Sequence, residues 1–244
     1  MKVVVIIPAA GLGTRMAPVR PAKDKPGVSK QFTELGGVPI LLRTLRVFAG
    51  MEEIAEIYVA LRKGEIEAFR PKLEKEGRPK KVRVVEGGEH RQESVAHALS
   101  QVAAEDDDII LVHDAVRPFV TEEIVRAVIS ETERAGAAIA GIPAVDTVKQ
   151  VERTADGALI RGTIPRAGVV MAQTPQGFRY SILKKAFDEA QGVLATDEAA
   201  LVEKTGHDVA VVRGSPRNIK ITTPGDMELA EFYLQTRVES TRRH

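Results

Sequence analysis

Short β-branched apolar runs alternate along the chain with longer stretches whose apolar residues recur every three or four positions, and that alternation predicts parallel strands joined by helices. Lys2 to Pro8 is apolar at consecutive positions, as a central strand buried on both faces should be. Pro39 to Gly50 reads as a helix with Pro in its first turn and Leu41, Leu42, Leu45 and Phe48 on one face. Ile54 to Leu61 gives a second strand, Gly64 to Glu76 a charged helix and Lys81 to Val85 a third strand. An amphipathic helix from Arg91 to Ala104, carrying Val95, Ala98, Leu99 and Val102, precedes a strand from Asp108 to Val112. Thr121 caps the next helix, with Glu122 and Glu123 where the helix dipole favours negative charge, and Ala137 to Ile142 forms a fifth strand.

The rhythm then changes. Thr147 to Glu152 and Ala158 to Ile164 alternate polar and apolar positions around Asp156-Gly157, which predicts a β-hairpin. Helices from Tyr180 to Ala190 and from Asp197 to Lys204, the latter capped by Thr196, are followed by strands at Asp208 to Arg213 and Asn218 to Thr222. Thr223-Pro224 opens a last helix that ends near Arg237. With no repeat and no Pro-, Gly- or Ser-rich linker, residues 1–244 form one domain carrying residues 143–172 as a protruding β-arm. A hairpin leaves two open edges, so a second subunit is expected to cover the arm and make a homodimer.

The 35 basic and 34 acidic residues nearly cancel, so no overall field points to nucleic acid or an anionic membrane, and any phosphate binding must be local. The longest apolar run, Val3 to Ala10, is far short of the roughly 20 residues that span a bilayer. Met1-Lys2 leads directly into a strand-like segment rather than a secretory signal, and a cytoplasmic location is expected. The chain has no cysteine, which excludes disulfides, thiolate metal sites and a thiol nucleophile.

The first strand runs straight into Pro8-Ala9-Ala10-Gly11-Leu12-Gly13-Thr14-Arg15, and in open parallel sheets ligands bind beyond the carboxyl ends of such strands. Gly11 and Gly13 let backbone amides approach phosphate oxygens, and Arg15 and Lys30 supply positive charge. A nicotinamide oxidoreductase would need a third glycine and a carboxylate ending the second strand. Met16 and Leu61-Arg62-Lys63 stand there instead. Nor does Gly-Lys-Ser/Thr follow the glycines, so the loop is not a Walker loop. A non-catalytic nucleotide-binding module is a further alternative, weakened because Arg15, Lys30, Arg117, Arg166 and Lys220 are all present.

Pro-Ala-Ala-Gly-x-Gly with a following Arg and Lys30-Gln31 resembles the nucleotidyltransferases that activate sugar and polyol phosphates. Six later segments narrow the resemblance: Gly87-Gly88-Glu89-His90-Arg91-Gln92-Glu93-Ser94-Val95, Val112-His113-Asp114-Ala115-Val116-Arg117-Pro118, Asp146-Thr147-Val148-Lys149, Gln173-Thr174-Pro175-Gln176, Thr196-Asp197-Glu198-Ala199 and Asn218-Ile219-Lys220. In that order, over nearly the whole chain, they are similar to the 2-C-methyl-D-erythritol 4-phosphate cytidylyltransferase family. The resemblance implies a Rossmann-like, mostly parallel sheet flanked by helices, of the nucleotidyltransferase type. It also implies use of CTP and Mg²⁺ or another divalent cation, with release of pyrophosphate. The related ribitol 5-phosphate cytidylyltransferase fits the CTP half equally and stays as the alternative.

By the same resemblance Arg15, Lys30, Arg166 and Lys220 are the catalytic cations. Pro8, Ala9, Ala10, Gly11, Gly13, Gly88, Glu89, Arg91, Ser94 and Ala115 would bind the nucleotide. Asp114, Arg117 and Thr147, with Arg166 and Lys220, would face the polyol phosphate. Asp114 has two open roles, a hydroxyl partner or a metal ligand; otherwise the metal is held through CTP phosphates. His113 needs no catalytic role, because a phosphate monoester is already an anionic nucleophile. Between Arg15 and Lys30 the connection from Met16 to Ser29 is longer than usual for the family, so Lys30, Lys25 and Lys23 all remain candidates for the triphosphate lysine.

Overall fold

β1 (Val3–Pro8) sits in the middle of a seven-stranded sheet, and its consecutive apolar residues explain why. Val3, Val5 and Ile7 point into one core with α1 (Ile40–Gly50), α2 (Lys63–Glu74) and α4 (Glu122–Ala135). Val4 and Ile6 point the other way, toward α3 (Arg91–Leu99), α5 (Tyr180–Glu189) and α6 (Glu198–Lys204). Burying each such side chain fully is worth about 1.5–3 kcal/mol, so the two-sided burial of β1 fixes where both helix layers go. The computed structural model describes residues 1–11, 30–77, 81–190, 192 and 194–241; the side chains of Lys30 and of residues 237–241 lie outside that description.

Numbered along the chain, the other strands are β2 (Glu34–Leu35), β3 (Val38–Pro39), β4 (Ile54–Leu61), β5 (Val82–Glu86), β6 (Ile109–Val112), β7 (Ala137–Pro143), β8 (Val148–Thr154), β9 (Gly157–Ile164), β10 (Val170–Arg179) and β11 (Ala210–Arg213). The sheet order is β11-β7-β10-β6-β1-β4-β5. β1 is parallel to β4 and β6, β4 to β5 and β7 to β11, while β10 runs antiparallel between β6 and β7. A third cluster, of Leu35, Ile40, Val116, Phe119, Ile221 and Ala230, seats α7 (Pro224–Thr241) beside the short β2–β3 hairpin.

Most elements match the pattern of the sequence, β4 residue for residue, and Thr121 caps α4 by accepting from the Ile124 amide at 3.4 Å. β8 and β9 form the expected hairpin, with Ala155-Asp156 in its turn and Thr154 opposite Gly157. Four readings change. β10 is an unanticipated strand, hidden because Gln173-Thr174-Pro175-Gln176 is polar and a proline argues against a central strand; the pairing with β7 shifts register between Ala172 and Gln176. α3 stops at Leu99 rather than Ala104, where the Ser100 hydroxyl donates to the His97 carbonyl and competes with the helical ladder. α6 is capped by Asp197, which accepts from the Ala200 amide, and not by Thr196. Residues 218–222 are no strand, since they follow the loop that Asn218 holds by side-chain bonds.

His113, at the end of β6, is fully buried and packs edge-on against Phe48 with centroids 4.9 Å apart. The Thr174 hydroxyl accepts from the Asp114 amide at 3.0 Å, so its single hydrogen is free for His113 Nδ1 at 3.1 Å. His113 therefore carries its proton on Nε2 and donates to the Arg117 carbonyl at 3.1 Å. Burial holds its pKa down at about 4. Because the folded pKa lies below the unfolded value near 6.5, the unfolded chain binds the extra proton first, and stability is lost as pH falls from about 6.5 to about 4. This group alone is expected to remove roughly 3 kcal/mol between pH 7 and pH 4, and His113→Gln should lack that part of the slope in urea unfolding.

Candidate active site

Three of the parallel strands, β1, β5 and β6, deliver loops to one edge of the sheet. Their first residues continue the pairing: the Ala9 amide donates to the Ala60 carbonyl at 2.8 Å, Gly87 to Leu61 at 2.7 Å and His113 to Ile6 at 2.9 Å. Gly87 is where two loops touch, since a Cβ there would lie 2.7 Å from the Ala10 methyl and 2.9 Å from Ser94 Oγ. A Cβ on Gly88 would lie 2.4 Å from Glu93 Cβ. Ala10, Gly88 and Ser94 are thereby brought together, with Ala9 next to Ala10 in the chain; Pro8 ends β1 and Gly11 is exposed beyond it. Gly13 and Arg15, with Met16 to Ser29, Lys23 and Lys25 among them, lie outside the described residues.

The amides of the second loop turn inward. Gly88 donates to Ser94 Oγ at 3.1 Å, while Glu89 and His90 donate to Glu93 Oε2 at 2.9 and 3.2 Å, closing the first turn of α3. Lys30 opens a 3₁₀ turn, Lys30–Phe32, and the neighbouring Gln31 is buried. Gln31 Nε2 donates to the Ala9 carbonyl at 2.6 Å, tying the backbone beside Lys30 to the start of the first loop.

Asp114 lies at the centre of the third loop, almost wholly buried. Its Oδ1 accepts from Arg91 Nε at 3.3 Å, and its Oδ2 meets Arg117 Nε at 3.1 Å and Lys220 Nζ at 3.0 Å. Arg91 Nη1 reaches on to both oxygens of Glu198, at 2.7 and 2.8 Å. Arg117 Nη1 donates to the Asn218 carbonyl at 2.7 Å. Ala115 is buried beside this cluster, its carbonyl accepting from Thr44 at 3.0 Å. Two carboxylates thus stand against three cations, which leaves the cluster net positive.

Burial alone would raise the Asp114 pKa, but Arg91, Lys220 and Arg117 outweigh it and hold the carboxyl well below the usual carboxylate range. Burial likewise opposes the charge on Arg91, and Glu198 and Asp114 overcome it, so the guanidinium keeps its proton more firmly than a free one. For Glu198 burial dominates and pushes the carboxyl up against the pull of Arg91. Among the described residues no group of three or more His, Asp or Glu side chains is placed to hold a metal ion. With both oxygens of Asp114 on cations, this donor set fits an anion and does not fit a protein-held divalent ion.

Thr147 and Arg166 stand apart, exposed on the hairpin. Arg166, in a 3₁₀ turn at Arg166–Gly168, donates to the Val145 carbonyl at 2.7 Å, and among the described residues no bond joins it or Thr147 to Asp114, Arg117 or Lys220. Residues given no role from the sequence stand around the cluster, Gln173, Thr174, Glu198 and Asn218, and beside the first loop, Gln31, all buried polar side chains. All five fall inside the quoted motifs, yet burial, the property that sets them apart, is not written in residue type.

The sequence profile described as IspD, 2-C-methyl-D-erythritol 4-phosphate cytidylyltransferase, matches residues 3–236. Proteins of that name from Acidobacterium capsulatum and Solibacter usitatus are 54% and 50% identical to this chain, covering 97% and 96% of it and 99% and 96% of their own lengths. Among solved structures, 4-diphosphocytidyl-2C-methyl-D-erythritol synthase from Anaerococcus prevotii superposes with a TM-score of 0.79 at 30% identity, over 96% of this chain and 98% of its own. The 2-C-methyl-D-erythritol 4-phosphate cytidylyltransferase from Thermus thermophilus gives 0.74 at 33% identity, over 96% of this chain and 100% of its own. A shared sheet edge, a net positive buried charge cluster, and likeness over nearly the full length agree: the chain belongs to the 2-C-methyl-D-erythritol 4-phosphate cytidylyltransferase family.

Proposed function

We propose that the chain transfers the cytidylyl group of CTP to 2-C-methyl-D-erythritol 4-phosphate, giving 4-diphosphocytidyl-2-C-methyl-D-erythritol and pyrophosphate for isoprenoid synthesis. The observation that carries this reading is the meeting of the Gly87 to Ser94 turn and the Asp114 cation cluster on one sheet edge, in a chain of this family. A phosphate oxygen of the polyol attacks the α-phosphorus of CTP in line, the bond to the β-phosphate oxygen breaks, and its electron pair leaves on pyrophosphate. The nucleophile is already an anion, so no general base is needed.

In this reading Arg15 and Lys30 stabilise the charge on the triphosphate, and Arg117 and Lys220 hold the polyol phosphate. Asp114, fixed between cations, is left to a polyol hydroxyl. Cytosine presents an amino donor, and with the amides of Gly88 and Glu89 already bonded inside α3, carbonyl oxygens of the loop are the groups left to read it. Gly11, Gly13, Ala9 and Ala10 line the triphosphate side and Ala115 the ribose. A divalent cation such as Mg²⁺ would enter on the phosphate oxygens of CTP.

The reading includes a homodimer. Val145, Val151, Leu159, Ile160, Val170 and Met171, on or beside the hairpin, are exposed, and Val151 stands opposite Ile160 across the two strands. A second copy of the chain would cover these side chains and bring Thr147 and Arg166 to its partner's phosphate site. The enzyme so described is cytoplasmic and acts on small phosphorylated substrates, with no nucleic acid or membrane partner. Within the described residues no helix is long and apolar enough to cross a membrane.

Pyrophosphate release from CTP is expected with 2-C-methyl-D-erythritol 4-phosphate and not with ribitol 5-phosphate; the opposite preference defeats the assignment. Lys30→Ala is expected to raise the barrier by roughly 2–4 kcal/mol in single-turnover kinetics. Lys25→Ala should cost little, and a comparable loss there moves the role into the longer connection. Ile160→Asp should shift sedimentation from dimer to monomer, with activity per subunit falling at least about tenfold. Full activity in the monomer would remove Arg166 from the partner's site.

A further inference from the structure

Asn218, the only asparagine in the chain, is fully buried behind Arg117 and Lys220. Its Nδ2 donates to the Thr174 carbonyl at 2.9 Å and faces Gln173 Oε1 at 3.4 Å. Its backbone amide donates to the Ser215 carbonyl at 3.0 Å. Its own carbonyl accepts from Arg117 Nη1 at 2.7 Å and from Gln173 Nε2 at 3.4 Å. Two residues on, Lys220 reaches Asp114, and the Ile221 amide closes onto the Val116 carbonyl at 3.0 Å.

This segment belongs to no strand, so no ladder of backbone bonds fixes it. Beside the Ile221 amide bond and the donors to the Asn218 carbonyl, it is held by the carboxamide of Asn218, and the orientation of that group is forced. Turning it over would set Oδ1 against two acceptor oxygens, Thr174 O and Gln173 Oε1. In the orientation kept, no donor among the described residues reaches Oδ1, so the side chain holds the segment through Nδ2.

We propose that Asn218 is a positioning residue for the phosphate half of the site. Its side chain anchors the segment to β10, its carbonyl sets the guanidinium of Arg117, and its place in the chain sets Lys220, so that both cations arrive on the same oxygen of Asp114. The inference rests on Arg117 and Lys220 being the cations that hold the polyol phosphate.

Asn218→Ala is expected to raise KM for 2-C-methyl-D-erythritol 4-phosphate roughly tenfold while KM for CTP stays within about twofold, the size of one lost buried hydrogen bond. Gln173→Met keeps the volume, removes the second donor to the Asn218 carbonyl, and should raise the same KM about threefold. CTP affinity by calorimetry shows whether each variant is folded; if Asn218→Ala does not fold, Gln173→Met decides. Equal losses for both substrates, or no change in either, overturn the proposal. Arg117→Met separates the two levels. If it leaves KM for the polyol phosphate unchanged, the phosphate assignment itself fails; if it raises that KM while the Asn218 and Gln173 variants do not, only the positioning role is lost.

Discussion

A carboxylate taken out of water is among the costliest groups a fold can bury, and it survives only where cations and hydrogen bonds surround it. Asp114 is such a group, and its cations come from three places: Arg91 from the first turn of α3, Arg117 from its own loop and Lys220 from the segment before α7. Only Arg117 shares its loop, so the ion demands that α3 and the segment before α7 both be in place against that loop at once. Glu198 extends the demand to α6 by pinning the far end of Arg91. The same arrangement keeps Arg91, Arg117 and Lys220 close in the absence of ligand, where otherwise their like charges would drive them apart.

β10 is the scaffold behind this cluster. It inserts antiparallel between β6 and β7, and its polar middle faces the site rather than the core. Thr174 joins the Asp114 amide to the His113 ring, Gln173 and Thr174 receive the Asn218 carboxamide, and Gln176 bonds both Asp197 and the Ala199 amide at the start of α6. A strand that looks too polar to lie in the middle of a sheet is polar because it connects three loops.

The legible part of the fold was the part driven by apolar periodicity. β1, β4 and α4 follow from burial pattern and capping chemistry, and the hairpin follows from alternation around its turn. β10 and the 218–222 segment were misread because their conformation is set by partners distant in sequence: Asn218 and Thr174 are 44 positions apart. The site divided the same way. Asp114, Arg117 and Lys220 could be singled out by type and motif, and the structure brings them together. Gln31, Gln173, Glu198 and Asn218 could not, because an uncharged amide or a stray carboxylate gains its meaning only when buried. Arg15 and Gly13 lie outside the described residues, so the triphosphate side is seen through the Ala9 to Gly11 start and the Gln31 anchor alone.

Charge balance bears on why a second chain would matter. Arg117 and Lys220 already share one oxygen of Asp114, and Arg117 also bonds the Asn218 carbonyl, so neither offers all its donors to an incoming anion. A phosphate monoester carries more charge and more acceptor oxygens than two such partly committed cations satisfy. The exposed side chain of Arg166 makes a single hydrogen bond among the described residues, to a backbone carbonyl, which leaves most of its fork of donors for another partner. It stands on the hairpin whose apolar residues are left uncovered. Covering those residues with a second copy and completing the phosphate's ring of donors would be one event, linking the hydrophobic gain of assembly to the electrostatics of the site.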